Sequence, residues 1–146
     1  MSIFDKIKPK YRNSNPHIRI KGIEDLDDDA ILLDLSLNDS EKEVRKAAFN
    51  KIKFPGYFPL ITARSHDPDI QEESFKKITN SEDFAKVARL SKDKQFQKRA
   101  IENISQIKIL EKLKSDIGHS LHPNIDEKIK RILIEDTGKK DKEIEK

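Results

Sequence analysis

Apolar positions return along this chain every 26 residues. The clearest copy runs from Ser40 to Ile52 and is anchored by Val44, with Ile18, Ile70 and Phe96 in the same place. Four residues further on stand Gly22, Ala48, Ser74 and Ala100, all small. Five residues on stand Ile23, Phe49, Phe75 and Ile101, and eight on stand Leu26, Ile52, Ile78 and Ile104. Positions i, i+4, i+5 and i+8 share one face of an α-helix, so each copy predicts an amphipathic helix whose small residue admits a close neighbour. A second helix follows in each copy. Its face is set by Leu32, Phe58, Phe84 and Leu110, and three residues later by Leu35, Ile61, Val87 and Leu113.

A fixed period of this length is the mark of stacked helical hairpins. One hairpin cannot bury its apolar face alone, so its neighbours must cover it. The pattern predicts helices near 16–26, 29–38, 41–53, 57–65, 68–79, 82–91, 94–104 and 107–117. A first helix is expected over 2–11, where Phe4 and Ile7 repeat the spacing of Leu32 and Leu35. Asn15-Pro16, Asp67-Pro68 and Asp93 are start signals, with Asn15 an N-cap and Pro16 in the first turn. Gly118 to Pro123 interrupts the period. A last helix is expected over 123–135, with Ile125, Ile129, Ile132 and Leu133 on its inner face, as a terminal cap. Residues 137–146 show no packing face and are expected to be a frayed, solvated tail.

The stretch Asn38-Asp39-Ser40-Glu41-Lys42-Glu43-Val44-Arg45-Lys46-Ala47-Ala48 resembles a HEAT-type repeat, as do Asn15-Pro16-His17-Ile18-Arg19 and Asp67-Pro68-Asp69-Ile70. The likeness covers roughly residues 15–135. The opening segment, Phe4 through Lys8-Pro9-Lys10-Tyr11, more weakly resembles the start of helical-repeat regions in certain bacterial proteins of unknown function. The resemblance implies an all-α, right-handed α-solenoid of about five antiparallel helix pairs, forming a single repeat domain over 1–136. It implies a shape rather than a chemistry. The repeated arginine, Arg19 and Arg45, becomes Gln71 and Gln97. A ladder of charge-assisted bonds is therefore expected to weaken in the second half.

Composition agrees with helices that each expose a long polar face: 34% of residues are hydrophobic and 39% are charged. The apolar minority is periodic, which separates the chain from a disordered one. There is no cysteine, so disulfide and thiolate chemistry are excluded. No apolar run is long enough for a signal peptide or a spanning helix, and a cytoplasmic protein off the membrane is expected. The net charge of +3 is unevenly placed. Residues 1–21 hold six basic groups against Asp5, and residues 24–43 hold nine acidic groups against Lys42.

Candidate chemistry is sparse. His119 and His122 are three apart, but Gly118 and Pro123 place them in a loop, and no cysteine completes a metal shell. His17, His66 and this pair read as surface or capping side chains. Some HEAT-like enzymes hold a di-iron centre with adjacent His-Glu pairs, which this chain lacks. Asp27-Asp28-Asp29 reads as a helix start. No nucleophile motif or phosphate loop is present. No catalytic residue, metal site or cofactor is expected.

Two binding readings follow. The exposed columns of the repeat helices carry seven basic and five acidic groups, among them Lys46, Glu72 and Lys98. That mixture suits a protein partner, of unidentified kind, better than a phosphate backbone. Ile20 is apolar where Lys46, Glu72 and Lys98 are charged. Phe54 is apolar where the same position elsewhere is Asp28, Asn80 or Gln106, and Tyr57 follows it. These residues are the candidate partner contacts for a noncatalytic scaffold or adaptor. The alternative is a nucleic-acid-binding module using Lys6, Lys8, Lys10, Arg12, Arg19 and Lys21.

Overall fold

The computed structural model describes residues 8–144, with the side chains of 143 and 144 left aside. Among them are nine α-helices and no strand. They are α1 (Pro16–Glu24), α2 (Asp29–Asn38), α3 (Lys42–Lys51), α4 (Phe58–Arg64), α5 (Pro68–Lys76), α6 (Ser81–Leu90), α7 (Lys94–Glu102), α8 (Ile107–Asp116) and α9 (His122–Ile144). Short 3-10 turns precede α1, α4 and α9, at Lys10–Arg12, Pro55–Tyr57 and His119–Leu121. The starts expected at Asn15, Asp28 and Asp93 are capped by those side chains, and Asn80 caps a further helix. The Asn15 carboxamide oxygen accepts the His17 N–H, and Asp28 accepts from Ala30 and Ile31. Asn80 accepts from Asp83, and Asp93 from Gln95.

The chain's contacts gather into two compact units, Met1–Lys77 and Ile78–Lys146. In the first, α2 packs on α3 and α4 on α5, while α1 lies against α3 and α2 against α4. In the second, α6 packs on α7 and α8 on α9, with α6 against α8 and α7 against α9. The links inside a pair are short, residues 39–41 between α2 and α3, so the chain doubles back on itself.

The repeat columns supply the cores of both units. Val44, Ile70 and Phe96 are buried, as are Gly22, Ala48, Ser74 and Ala100 in the small column. Ile23, Phe49, Phe75, Ile101, Leu32, Phe58, Phe84, Leu110, Leu35, Ile61, Val87 and Leu113 complete the interior. Phe49 and Phe58 meet edge to face, with ring centroids 6.2 Å apart. Gly22 is the smallest member of its column for a visible reason. A Cβ there would lie 2.5 Å from the Tyr11 backbone nitrogen and 2.7 Å from the Lys10 Cβ, because the Lys10–Arg12 turn rests directly on it.

The two ends differ from expectation. The first helix expected over 2–11, with Phe4 and Ile7, lies mostly outside the described residues; the described part is a 3-10 turn at Lys10–Arg12. Pro9 restricts the preceding residue and donates no N–H, which favours a short turn there. The last helix begins at His122 and continues to Ile144, past the expected stop at 135. No proline follows Pro123, and Gly138 alone does not break a helix flanked by Lys, Asp and Glu. Leu133 does not join the core, standing 52% exposed, whereas Ile125 is fully buried and Ile129 and Ile132 are half-buried. Residues 133–142 are exposed throughout.

Candidate functional site

A polar ladder runs beside the apolar columns in the first unit. The Arg19 guanidinium donates to both Asp39 carboxylate oxygens, each at 2.9 Å, and to the Asn13 and Ser14 carbonyls. One repeat later, Arg45 donates to both Asp67 oxygens at 2.7 and 3.0 Å and to the Asp39 carbonyl at 2.8 Å. Such forked pairs bind more strongly and more directionally than single bonds. Each arginine thus ties its own loop to the next. Asp67 stands at the N-cap of α5 but does not cap it, since its carboxylate is spent on Arg45. The hydrogen bond from Arg45 holds the Asp67 carboxyl below the ordinary aspartate range and raises the guanidinium in turn.

The glutamines make a different bond. Gln71 Nε2 donates to the Thr62 carbonyl and Gln97 Nε2 to the Ala88 carbonyl, both at 3.0 Å. These bonds reach the preceding helix of the same pair and involve no charge. The ladder is therefore charge-assisted at Arg19 and Arg45 and neutral at Gln71 and Gln97.

A further column escaped the hydrophobic pattern because it is polar. Asn13, Asp39, Ser65 and Ser91 recur every 26 residues, and each side-chain oxygen accepts the backbone N–H two residues on. This is the Asx- or ST-turn that aims the chain into the next helix. The signal was present in the spacing, but only a search for recurring polar residues would have found it. Asp29 and Ser81, two periods apart with Pro55 between them, instead reach across to a later loop: Asp29 accepts the N–H groups of Lys53 and Phe54, and Ser81 that of Ser105.

The candidate partner residues fall at several places. Ile20 on α1 and Glu72 on α5 are half-buried, whereas Lys46 on α3 is exposed. Lys98 is exposed on α7 in the second unit. Phe54 is 54% exposed and rests edge to face on half-buried Tyr57, centroids 4.9 Å apart. Its ring covers Gly56, where a Cβ would meet it at 2.6 Å. Phe54 stands at the N-cap of the Pro55–Tyr57 turn and Tyr57 at that of α4, and neither side chain makes a capping bond. Between α3 and α5 lies a groove lined by Lys46, Phe49, Asn50, Asp69, Ile70 and Glu73. Lys46 is the one candidate in it; Asn50, Asp69 and Glu73 come from neighbouring columns. Lys42 bridges to Asp69 at 3.4 Å.

The candidate phosphate contacts do not act as one set. Lys6 lies outside the described residues. Arg19 is committed to Asp39 and two carbonyls. Lys8, Lys10, Arg12 and Lys21 are exposed, with Arg12 5.7 Å from the Tyr11 ring centroid. Beside them Asp34 and Asp39 line the same depression as Arg12 and Arg19.

His119 lies in a 3-10 turn and His122 opens α9, so the pair is not in a loop. Their rings meet at 4.7 Å, and His122 Nε2 is 3.2 Å from the Ile117 carbonyl. Among the described residues no cluster of three or more His, Cys, Asp or Glu is placed to hold a metal ion. Among them too, no helix is long and apolar enough to cross a membrane.

The fold and its surface define a class: an all-helical protein built from helix pairs that repeat along the sequence. Comparison with family models, with curated proteins and with solved structures finds no match to this chain.

Proposed function

We propose that this chain is a noncatalytic protein-binding scaffold of the HEAT-like kind, a right-handed solenoid of helix pairs working in the cytoplasm. The observation that carries the reading is the α3–α5 groove. Its floor is Phe49 and Ile70, and its walls carry both signs of charge, Lys46 against Asp69 and Glu73. An apolar floor with a rim of mixed polarity is the common make-up of a protein interface. Helices hold the walls in place before binding, which lowers the entropy lost on association. Reading the chain as a nucleic-acid module would leave Lys8, Lys10, Arg12 and Lys21 as the described cations, with Arg19 already engaged.

The test is retention of partners from native cell extract on the immobilised chain, compared with Lys46→Glu and Glu73→Lys. Both positions are exposed, so helix content and melting temperature should stay unchanged. A protein retained by the wild type and lost by both variants supports the groove. Retention that ignores both variants overturns it.

A further inference from the structure

The second half of α9 carries an apolar stripe that its own unit does not cover. Leu133 is 52% and Ile134 60% exposed, and they are two of the four large apolar side chains so placed among the described residues. Lys130, Leu133, Ile134, Thr137, Gly138 and Asp141 line one shallow depression along the helix. Their spacing of three and four residues puts them on a single face. The Thr137 hydroxyl donates to the Leu133 carbonyl at 2.9 Å, so its hydrogen is used within the helix. Gly138 has open space above it: a Cβ there would meet nothing within 4 Å. The stripe thus has two knobs, one gap, and a charge of opposite sign at each end.

That order of charge is complementary to its own reverse, which a second copy of the chain supplies. We propose that α9 pairs antiparallel with α9 of a second copy of this chain. With Lys130 opposite Asp141 of the other copy, Leu133 falls opposite Gly138 and Ile134 opposite Thr137. The same contacts recur on both sides of a two-fold axis, as an isologous interface requires. Parallel pairing would instead bring Lys130 against Lys130 and Asp141 against Asp141. The paired segment spans about 18 Å at 1.5 Å per residue. It is smaller than a standard interface of about 1,200 Å² or more, so weak, concentration-dependent association is expected. This inference concerns a face separate from the α3–α5 groove and does not rest on it.

Sedimentation equilibrium from about 10 µM to about 1 mM tests it, since mass action populates the dimer across that range. The mass should rise from 17.0 kDa towards twice that value. Ile134→Lys should hold the chain monomeric with its helix content intact. Lys130→Glu should weaken association about tenfold, and Lys130→Glu combined with Asp141→Lys should restore it. The chain has no cysteine, so Thr137→Cys should give a disulfide-linked dimer on oxidation, and Glu135→Cys, on the other side of α9, should not. A monomer at every concentration overturns the proposal. So does a dimer that survives Ile134→Lys, or a double charge swap that fails to recover it.

Discussion

Gly22 and Arg45 show how single positions settle the local structure. Gly22 carries the Lys10–Arg12 turn on its bare Cα, and the atoms a methyl would strike include backbone, which cannot swing aside. Gly22→Ala gains helix propensity, about 1 kcal/mol, yet should lose more by displacing that turn. A net destabilisation of about 1–2 kcal/mol is expected in urea melts, and a gain in stability would show that the turn does not rest there. Arg45 pairs with a buried carboxylate, Asp67. Arg45→Met should cost about 2–4 kcal/mol, because it leaves that charge without its partner. The pH sign follows from the same bond. The Asp67 carboxyl is held below its ordinary value of 3.8, chiefly by the hydrogen bond from Arg45. Its contribution is therefore complete above that value and is lost as pH falls through the lower folded one. Wild type should lose stability more steeply than Arg45→Met below about pH 4, as acid titrations followed by circular dichroism would show.

At the scale of the element, each helix is held by its neighbour across the apolar columns. Phe49 on α3 and Phe75 on α5 are both buried, and Phe49 also meets the Phe58 ring. Phe49→Ala and Phe75→Ala should each cost about 3–5 kcal/mol. A loss below about 1 kcal/mol in either would mean that the ring is not part of the interior. The far end of α9 behaves differently. Residues 138–142 are helical but exposed, so they add little buried surface. Removing residues 138–146 should leave the melting temperature nearly unchanged at low concentration, by calorimetry, while removing Asp141 from the proposed pairing face. A fall of several degrees would show that these residues pack on the unit.

For the whole molecule, charge is the property that reaches furthest. The net value is +3, but Arg19 and Arg45 are spent on Asp39 and Asp67, and Arg131 forks onto both Glu102 oxygens. The surviving surface is mixed in sign. Binding to random duplex or single-stranded nucleic acid should therefore be weaker than micromolar at physiological salt. A submicromolar affinity with a steep salt slope would favour the nucleic-acid reading.

Sequence alone determined the helices and the interior, because apolar burial repeats with helical spacing and a 26-residue period makes the same faces recur. Asp29–Asn38 matches its expected span, and every column headed by Val44, Ala48 and Phe49 is buried beyond α1. Local spacing also placed the start signals at Asn15 and Asp93. Only the tertiary structure decided which polar groups meet. Asp39 and Asp67 lie 20 and 22 residues from the arginines that hold them, and no local rule separates them from the other acids nearby. The same holds for the groove, which draws Asn50, Asp69 and Glu73 from three different columns. It holds for Leu133 as well. Its apolar character suited a core position, but burial depends on whether another helix lies across that turn, and along the second half of α9 none does within the described residues.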